Sequence, residues 1–238
     1  MKKILGVLMA AAVCSATDAA AANCNDVPSA SELRQAMLAA AKIPNAGGLF
    51  EGERMWGAVV NRDGEICAYI TTTADPTQVW PGSQAIAKAK AYTANAFSLD
   101  TLALSTARLY TFTQPGHSLW SLGQSNLWHP SLNAPPGGQA GGTNQIGGGL
   151  IFFGGGVPIY RGTKIVGGLG ISGDTSCADH EIAKRTRNAL SMNPPGGALV
   201  DDITYSVPDG PSVFTHPRCI DTWRNGQFIG DELPAAGY

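Results

Sequence analysis

The chain has 238 residues, enough for one sizeable core, and its length favours a single domain with extensions. A net charge of -2 and a sequence pI of about 6.1, with no block of like charge, offer no basic field for nucleic acid and no charged tail for a partner. Charged residues are only 14% of the chain against 30 glycines and 15 prolines, a balance that points to surface hidden in a homo-oligomer.

The first segment reads as a secretory signal. Lys2-Lys3 precedes the apolar run Ile4 to Val13, and Ala20-Ala21-Ala22 supplies small residues for cleavage, so residues 1–22 are expected to be removed. The apolar run is too short to span a bilayer, and no membrane association is expected after processing. Val13 before Cys14 and Asn23 before Cys24 speak against a lipoprotein site. A periplasmic or secreted location follows. Export removes Cys14 and leaves Cys24, Cys67, Cys177 and Cys219, an even set in an oxidising compartment, from which two disulfides are expected with all three connectivities open. Their spacings fit neither a Cys-x-x-Cys zinc site nor covalent haem attachment.

Ser29 or Ser31 can cap a helix running to about Lys42, with Leu33, Ala36, Met37 and Ala40 at helical spacing. The runs Met55 to Val60 and Ile66 to Thr71, joined across Asp63-Gly64, predict a hairpin. Turn signals at Asp75-Pro76 and Trp80-Pro81 lead to a helix from Ser83 to about Phe97. Its apolar face is expected to hold Ile86, Ala89, Lys90, Thr93, Ala96 and Phe97, with Lys88 and Tyr92 elsewhere. Lys90 on that face must snorkel to the rim or meet an anion, because burying it alone is costly.

Leu99, Leu102, Ala103, Leu109 and Phe112 predict a second, shorter helix, stopped at Gln114-Pro115-Gly116. A long loop then reaches Gly148. Its residues His117 and His129, with Trp120 and Trp128, are candidates to line a flat aromatic ligand, since imidazole ligates iron and indole stacks on a macrocycle. Packing of the loop onto the body or onto a neighbouring subunit is the competing reading. Gly154 to Asp179 is the stretch to which the rest refers: strand, turn at Arg161-Gly162-Thr163, strand, glycine-rich turn, helix start. Glycines at this density mean that another backbone or a ligand comes close. The following helix, to about Ser191, puts Ala178, Ile182, Thr186, Ala189 and Leu190 inward and His180 away, with Asp179 leaning toward the sheet near the helix N-terminus. After Asn193-Pro194-Pro195-Gly196-Gly197, residues 193–238 read as an extension stapled back by Cys219.

The runs Gly155-Gly156-Val157-Pro158-Ile159 and Gly162-Thr163-Lys164-Ile165-Val166-Gly167-Gly168-Leu169-Gly170-Ile171-Ser172-Gly173, with Asp179 and Ile182-Ala183, resemble the GlcG/HbpS family, also met as the C-terminal domain of PduO-type proteins. The hairpin through Asp63-Gly64 and the helix Ala87-Lys88-Ala89-Lys90-Ala91-Tyr92-Thr93-Ala94 match in order, so that the likeness covers about residues 29 to 191. The resemblance implies an α/β (α+β) fold, with about five antiparallel strands covered by helices in one domain over residues 23–192, and homo-oligomers. It also implies non-covalent haem binding or handling, without a uniform set of iron ligands to carry over. Three departures stand out: Thr72-Thr73-Ala74-Asp75-Pro76 where relatives commonly carry an Arg-Met-Asp-Gly-like turn, a longer 114–148 loop, and the additional extension.

The sequence-based expectation is an exported, oligomeric protein that binds haem or a similar small anionic cofactor. Lys90 and the Gly155-Gly156 backbone would lie near the anionic group, with Asp179 beside them. Catalysis is the less favoured alternative, acting on haem or a small organic acid, because no nucleophile elbow, carboxylate pair, metal-ligand cluster or dinucleotide fingerprint is legible. A third reading is an accessory protein to a partner enzyme.

Overall fold

The computed structural model describes residues 23–125 and 148–234. The expected signal segment, His129 and Trp128 lie outside the described residues. Helix α1 spans Ala30–Ala41, and Ser29 caps it: the Ser29 side chain accepts from the Glu32 amide while Glu32 reaches back to the Ser29 amide. The hairpin forms as β1 (Trp56–Asn61) and β2 (Ile66–Thr71), and α2 covers Ser83–Phe97. A one-turn α3 at Leu122–Ser125 precedes β3 (Gly156–Arg161), β4 (Lys164–Ser172) and α4 (Ser176–Ala189). Two short strands, β5 (Thr222–Arg224) and β6 (Gln227–Gly230), lie in the C-terminal extension.

The main sheet has the order β2-β1-β4-β3 and is antiparallel throughout. It therefore holds four strands, and the remaining strand character forms a separate two-stranded ribbon, β5-β6. The sheet is covered on both faces, which is why β1 and β2 are buried along their whole length. On one face α1 and α4 pack through Leu33, Met37, Ile182 and Ala183 against Val59, Ile70, Val157, Leu169 and Ile171. On the other, Ala87 and Ala91 of α2 meet Trp56, Ala58, Val60 and Tyr69.

Helix α2 lies unusually close to β4. A methyl group added at Gly168 would overlap the Ala91 carbonyl oxygen, and one at Gly170 would overlap that of Ala87 and lie 2.5 Å from the Ala91 amide nitrogen. These glycines serve helix packing. The face of α2 differs from the wheel expectation: Ala87, Lys88, Ala91 and Ala94 are buried, while Ile86 is half-buried and Ala96 exposed. The helix is enclosed on most sides, so apolar periodicity underreports its buried residues. The second helix expected near Leu99 forms only as single 3-10 turns at Thr106–Leu109 and Thr111–Thr113. Leu99 and Leu102 pair with each other and stay largely exposed, and the Thr106 hydroxyl binds backbone groups at Phe153 and Gly156.

Disulfides join Cys24 to Cys67 and Cys177 to Cys219. The first ties the N-terminal segment to β2. The second fixes the extension to the first turn of α4. No helix among the described residues is long and apolar enough to cross a membrane.

Candidate functional site

The glycine-rich corner lies where the start of β3, the end of β4 and the N-terminus of α4 converge. Gly155 has φ 118°, a conformation that favours glycine, and an added methyl group there would lie 2.5 Å from the Ile171 carbonyl oxygen and 2.6 Å from Lys90 Nζ. What approaches Gly155 is thus the protein's own lysine. Lys90 leaves α2 on one face of the sheet, and its Nζ donates to Asp179 Oδ2 of α4, on the other face, at 2.6 Å. A further N–H goes to the Ile171 carbonyl at 3.1 Å, and the Phe153 ring lies 4.9 Å away. Lys90 is 0% exposed and Asp179 1%.

Lys90 therefore meets an anion, as its position requires, and that anion is Asp179. The glycine amides are also engaged: Gly154 donates to His216 Nε2 at 3.2 Å, and Gly156 to Thr106 Oγ1 at 2.9 Å. Within the expected cradle of Lys90, Gly155 and Gly156, the Lys90 ammonium and the Gly156 amide already have internal acceptors, and Lys90 and the Ile171 carbonyl press on Gly155. Asp179 Oδ1 accepts from the Asp174 amide at 3.0 Å, and the Asp174 carboxylate accepts from the amides of Leu49, Phe50 and Thr175. The N-terminal cap of α4 is Thr175, so Asp179 lies inside the first turns and acts as an ion-pair partner. Burial pushes the Asp179 carboxyl up to about 6 against the opposing pull of Lys90.

His216 belongs to the extension and was not legible as a contributor to this corner. Its Nε2 accepts the Gly154 amide, so Nδ1 carries the proton and donates to the Pro217 carbonyl at 2.7 Å. Burial holds its imidazole down to about 3. The extension also covers the outer face of α4. Arg187 forms a buried bidentate pair with Asp201, and Lys184 binds Asp202, Glu181 and Asn225. His180 points away from the sheet as expected, yet it is buried beneath the extension, where Nε2 lies 3.3 Å from Asp202 Oδ1 and 3.2 Å from the Ile203 amide nitrogen. Burial alone would raise the Asp202 carboxyl, but His180 and Lys184 hold it well below the usual carboxylate range.

The remaining expected ligand residue with described coordinates, His117, is exposed, and its carbonyl accepts from the amide of Trp120, whose side chain is 54% exposed. These two are not part of the glycine corner. The one cysteine and carboxylate cluster of metal-binding size among the described residues, Cys24, Glu65 and Cys67, is spent on a disulfide.

A second lysine of α2 lies off the apolar face of the helical wheel. Lys88 is nevertheless 4% exposed, and its Nζ lies 4.2 Å from the centre of the Tyr69 ring. Its one sequence signal is Gln84, one turn earlier, which accepts from the Tyr69 hydroxyl at 2.9 Å. Burial pulls the Lys88 ammonium down to about 8.

Among solved structures, the PduOC:heme complex is similar over 68% of this chain and 92% of that one, at 21% identity and a TM-score of 0.49. Klebsiella pneumoniae protein ORFY matches over 67% and 88%, at 21% identity and a TM-score of 0.47. A double mutant of Streptomyces reticuli HbpS matches over 79% and 99%, at 20% identity and a TM-score of 0.44. No curated protein matches the chain. The family model described as "Haem degrading protein HbpS-like" matches residues 29–188, from the cap of α1 almost to the end of α4. That span takes in all four strands of the main sheet and the Lys90–Asp179 corner, and the chain belongs to the HbpS-like family.

Proposed function

We propose that this chain is an exported, oligomeric binding protein for haem or a similar small anionic cofactor. The observation that carries the reading is family membership across the whole sheet and its covering helices, in a family described by haem chemistry. Two disulfides support export to an oxidising compartment. His117 is the proposed iron-side contact and Trp120 a stacking surface, with His129 as a further candidate outside the described residues. Lys90, Gly155, Gly156 and Asp179 serve the ligand by holding the corner rigid, since Lys90, Gly156 and Asp179 are paired internally and Gly155 lies in close contact with Lys90. Titration with haemin should give a saturable Soret shift at micromolar protein, weakened in His117→Ala. No shift removes the haem reading, and an unchanged affinity in the variant removes His117 from it.

The family description favours one second reading, turnover of haem by the chain itself. Incubation with haemin, oxygen and ascorbate separates the two: loss of the Soret band with release of iron, beyond a protein-free control, marks degradation, and a stable band marks binding.

A further inference from the structure

The C-terminal extension does more than cover the glycine corner. With the connection that follows α2 it walls a surface cleft of about 240 Å3, lined by Leu102, Leu104, Arg108, Pro195, Val200 and Phe214. The last three lie beyond residue 188, so one wall belongs to this chain's extension and not to the family span. Leu102 and Val200 remain 48% and 42% exposed. A single exposed leucine is ordinary, but apolar side chains from two separate segments that converge on one concavity make a place for a ligand. Arg108, half-buried, supplies the cation. Its Nε donates to the Asp202 carbonyl at 3.1 Å, and its guanidinium carbon lies 5.3 Å from the centre of the Phe214 ring. The group is thus anchored at one end, while its two terminal nitrogens have no acceptor among the described residues. The cleft's carboxylate, Asp100, is already met by Lys164 Nζ at 2.6 Å and the Ile165 amide at 3.0 Å.

We propose that this cleft is a binding site for a small aliphatic monocarboxylic acid, whose carboxylate pairs with the Arg108 guanidinium and whose hydrocarbon chain lies against Leu102, Leu104 and Val200. An anchored guanidinium offers its terminal N–H groups as a fork that matches a carboxylate, and partial burial strengthens the pair. One unanswered cation matches a monoanion. A phosphate would leave charge uncompensated and would set no apolar body against the walls. Those walls are largely aliphatic, and the Phe214 ring already carries Arg108 and packs edge-to-face with Phe112, which favours a chain over a flat ring. Pockets for drug-sized ligands run to about 300–1,000 Å3. A cleft of about 240 Å3 therefore takes a chain of a few carbons and not a macrocycle. The site is separate from haem binding and does not rest on it.

The test uses the full disulfide-bonded chain with methyl-labelled leucine and valine, the Leu102 and Val200 signals being assigned with Leu102→Ile and Val200→Ile. Hexanoate, acetate, hexanamide and inorganic phosphate are titrated at neutral pH and constant ionic strength. Hexanoate should move both signals saturably in the millimolar range or below. Binding should be weaker by about tenfold or more for acetate, which lacks the chain, for hexanamide, which lacks the charge, and for hexanoate with Arg108→Gln. No saturation with hexanoate, equal affinity in the variant, or acetate, hexanamide or phosphate binding as tightly would overturn the proposal. Should Arg108→Gln fail to fold, Val200→Asp takes its place at an exposed position, where the added carboxylate should repel hexanoate and an unchanged affinity overturns the site. Signals that move with protein concentration alone would make the cleft a contact between copies and overturn it too. Haemin titration of Arg108→Gln keeps the two readings apart. A Soret shift equal to that of the wild type upholds a separate acid site, and one lost in the variant would give the cleft to a haem carboxylate instead. Hexanoate binding without any Soret shift in the wild type upholds this site and removes haem.

Discussion

Lys90 and Lys88 stand two positions apart on one helix, and the regions they reach are built on opposite terms. At the Lys90 end the buried charge is paired and tied to its surroundings by hydrogen bonds. The ammonium crosses from one face of the sheet to Asp179 on the other, Thr106 and His216 take the Gly156 and Gly154 amides, and Cys177–Cys219 locks the extension behind them. At the Lys88 end the ammonium rests on an aromatic face, and the neighbouring indole N–H is unpaired. Breaking a buried ion pair is costly because it leaves a charge without its counterion, whereas the attraction of an ammonium to a ring face is modest. The two lysines thus differ in how their charge is met, by a carboxylate at Lys90 and by an aromatic face at Lys88.

The strongest way to break this contrast is to remove one member of the corner pair. Asp179→Asn, or Lys90→Met, leaves a buried charge without its counterion and should cost about 3–5 kcal/mol in urea unfolding. The double variant should recover much of that loss, and additive losses would show that the pair is not the corner's organising contact. Next, replacing Cys177 and Cys219 together by serine should lower stability by about 2–4 kcal/mol. Hydrogen exchange should then rise at the Gly154 amide, which His216 accepts, and stay unchanged at Tyr69; a uniform rise would mean that the extension supports the whole fold equally. Gly170→Ala forces α2 off the sheet and should cost about 1–3 kcal/mol, moving both regions because both hang on that helix.

The smallest effect has the opposite sign. Lys88→Met should raise stability by about 1 kcal/mol at neutral pH, since it replaces an uncompensated ammonium with an apolar chain of similar length. The pH dependence follows from the depressed folded value. Between about 8 and the ordinary 10.5 the unfolded chain holds the Lys88 proton and the folded chain has shed it, so stability should climb as pH rises through that window. Lys88→Met should flatten the climb, and a slope identical to wild type would place the ammonium in water.

Much of the frame was legible from local signals. The Ser29 cap with Glu32, the Asp63-Gly64 hairpin, the Gly162 turn and the span of α2 are set by residues within a few positions of one another. The glycine-rich corner was legible as a place of close approach, but not as to what approaches. The amphipathic period failed on α2 because a helix enclosed on most sides has no polar face to contrast with an apolar one. It failed again near Leu99, where Thr106 spends its hydroxyl on β3 and only isolated 3-10 turns form.

By itself the sequence determined the family, the elements of the sheet and its covering helices, the need of Lys90 for an anion, and an even set of cysteines. The tertiary structure alone decided that the anion is Asp179, that Cys24 pairs with Cys67 and Cys177 with Cys219, that His216 and Asp201 reach back into the body, and that Lys88 meets the face of Tyr69. The physical reason is distance along the chain. Caps and turns are satisfied within a few residues and leave a readable pattern, whereas a buried charge is met by whatever the fold brings beside it, a carboxylate 89 positions away for Lys90 and the Tyr69 ring of β2 for Lys88.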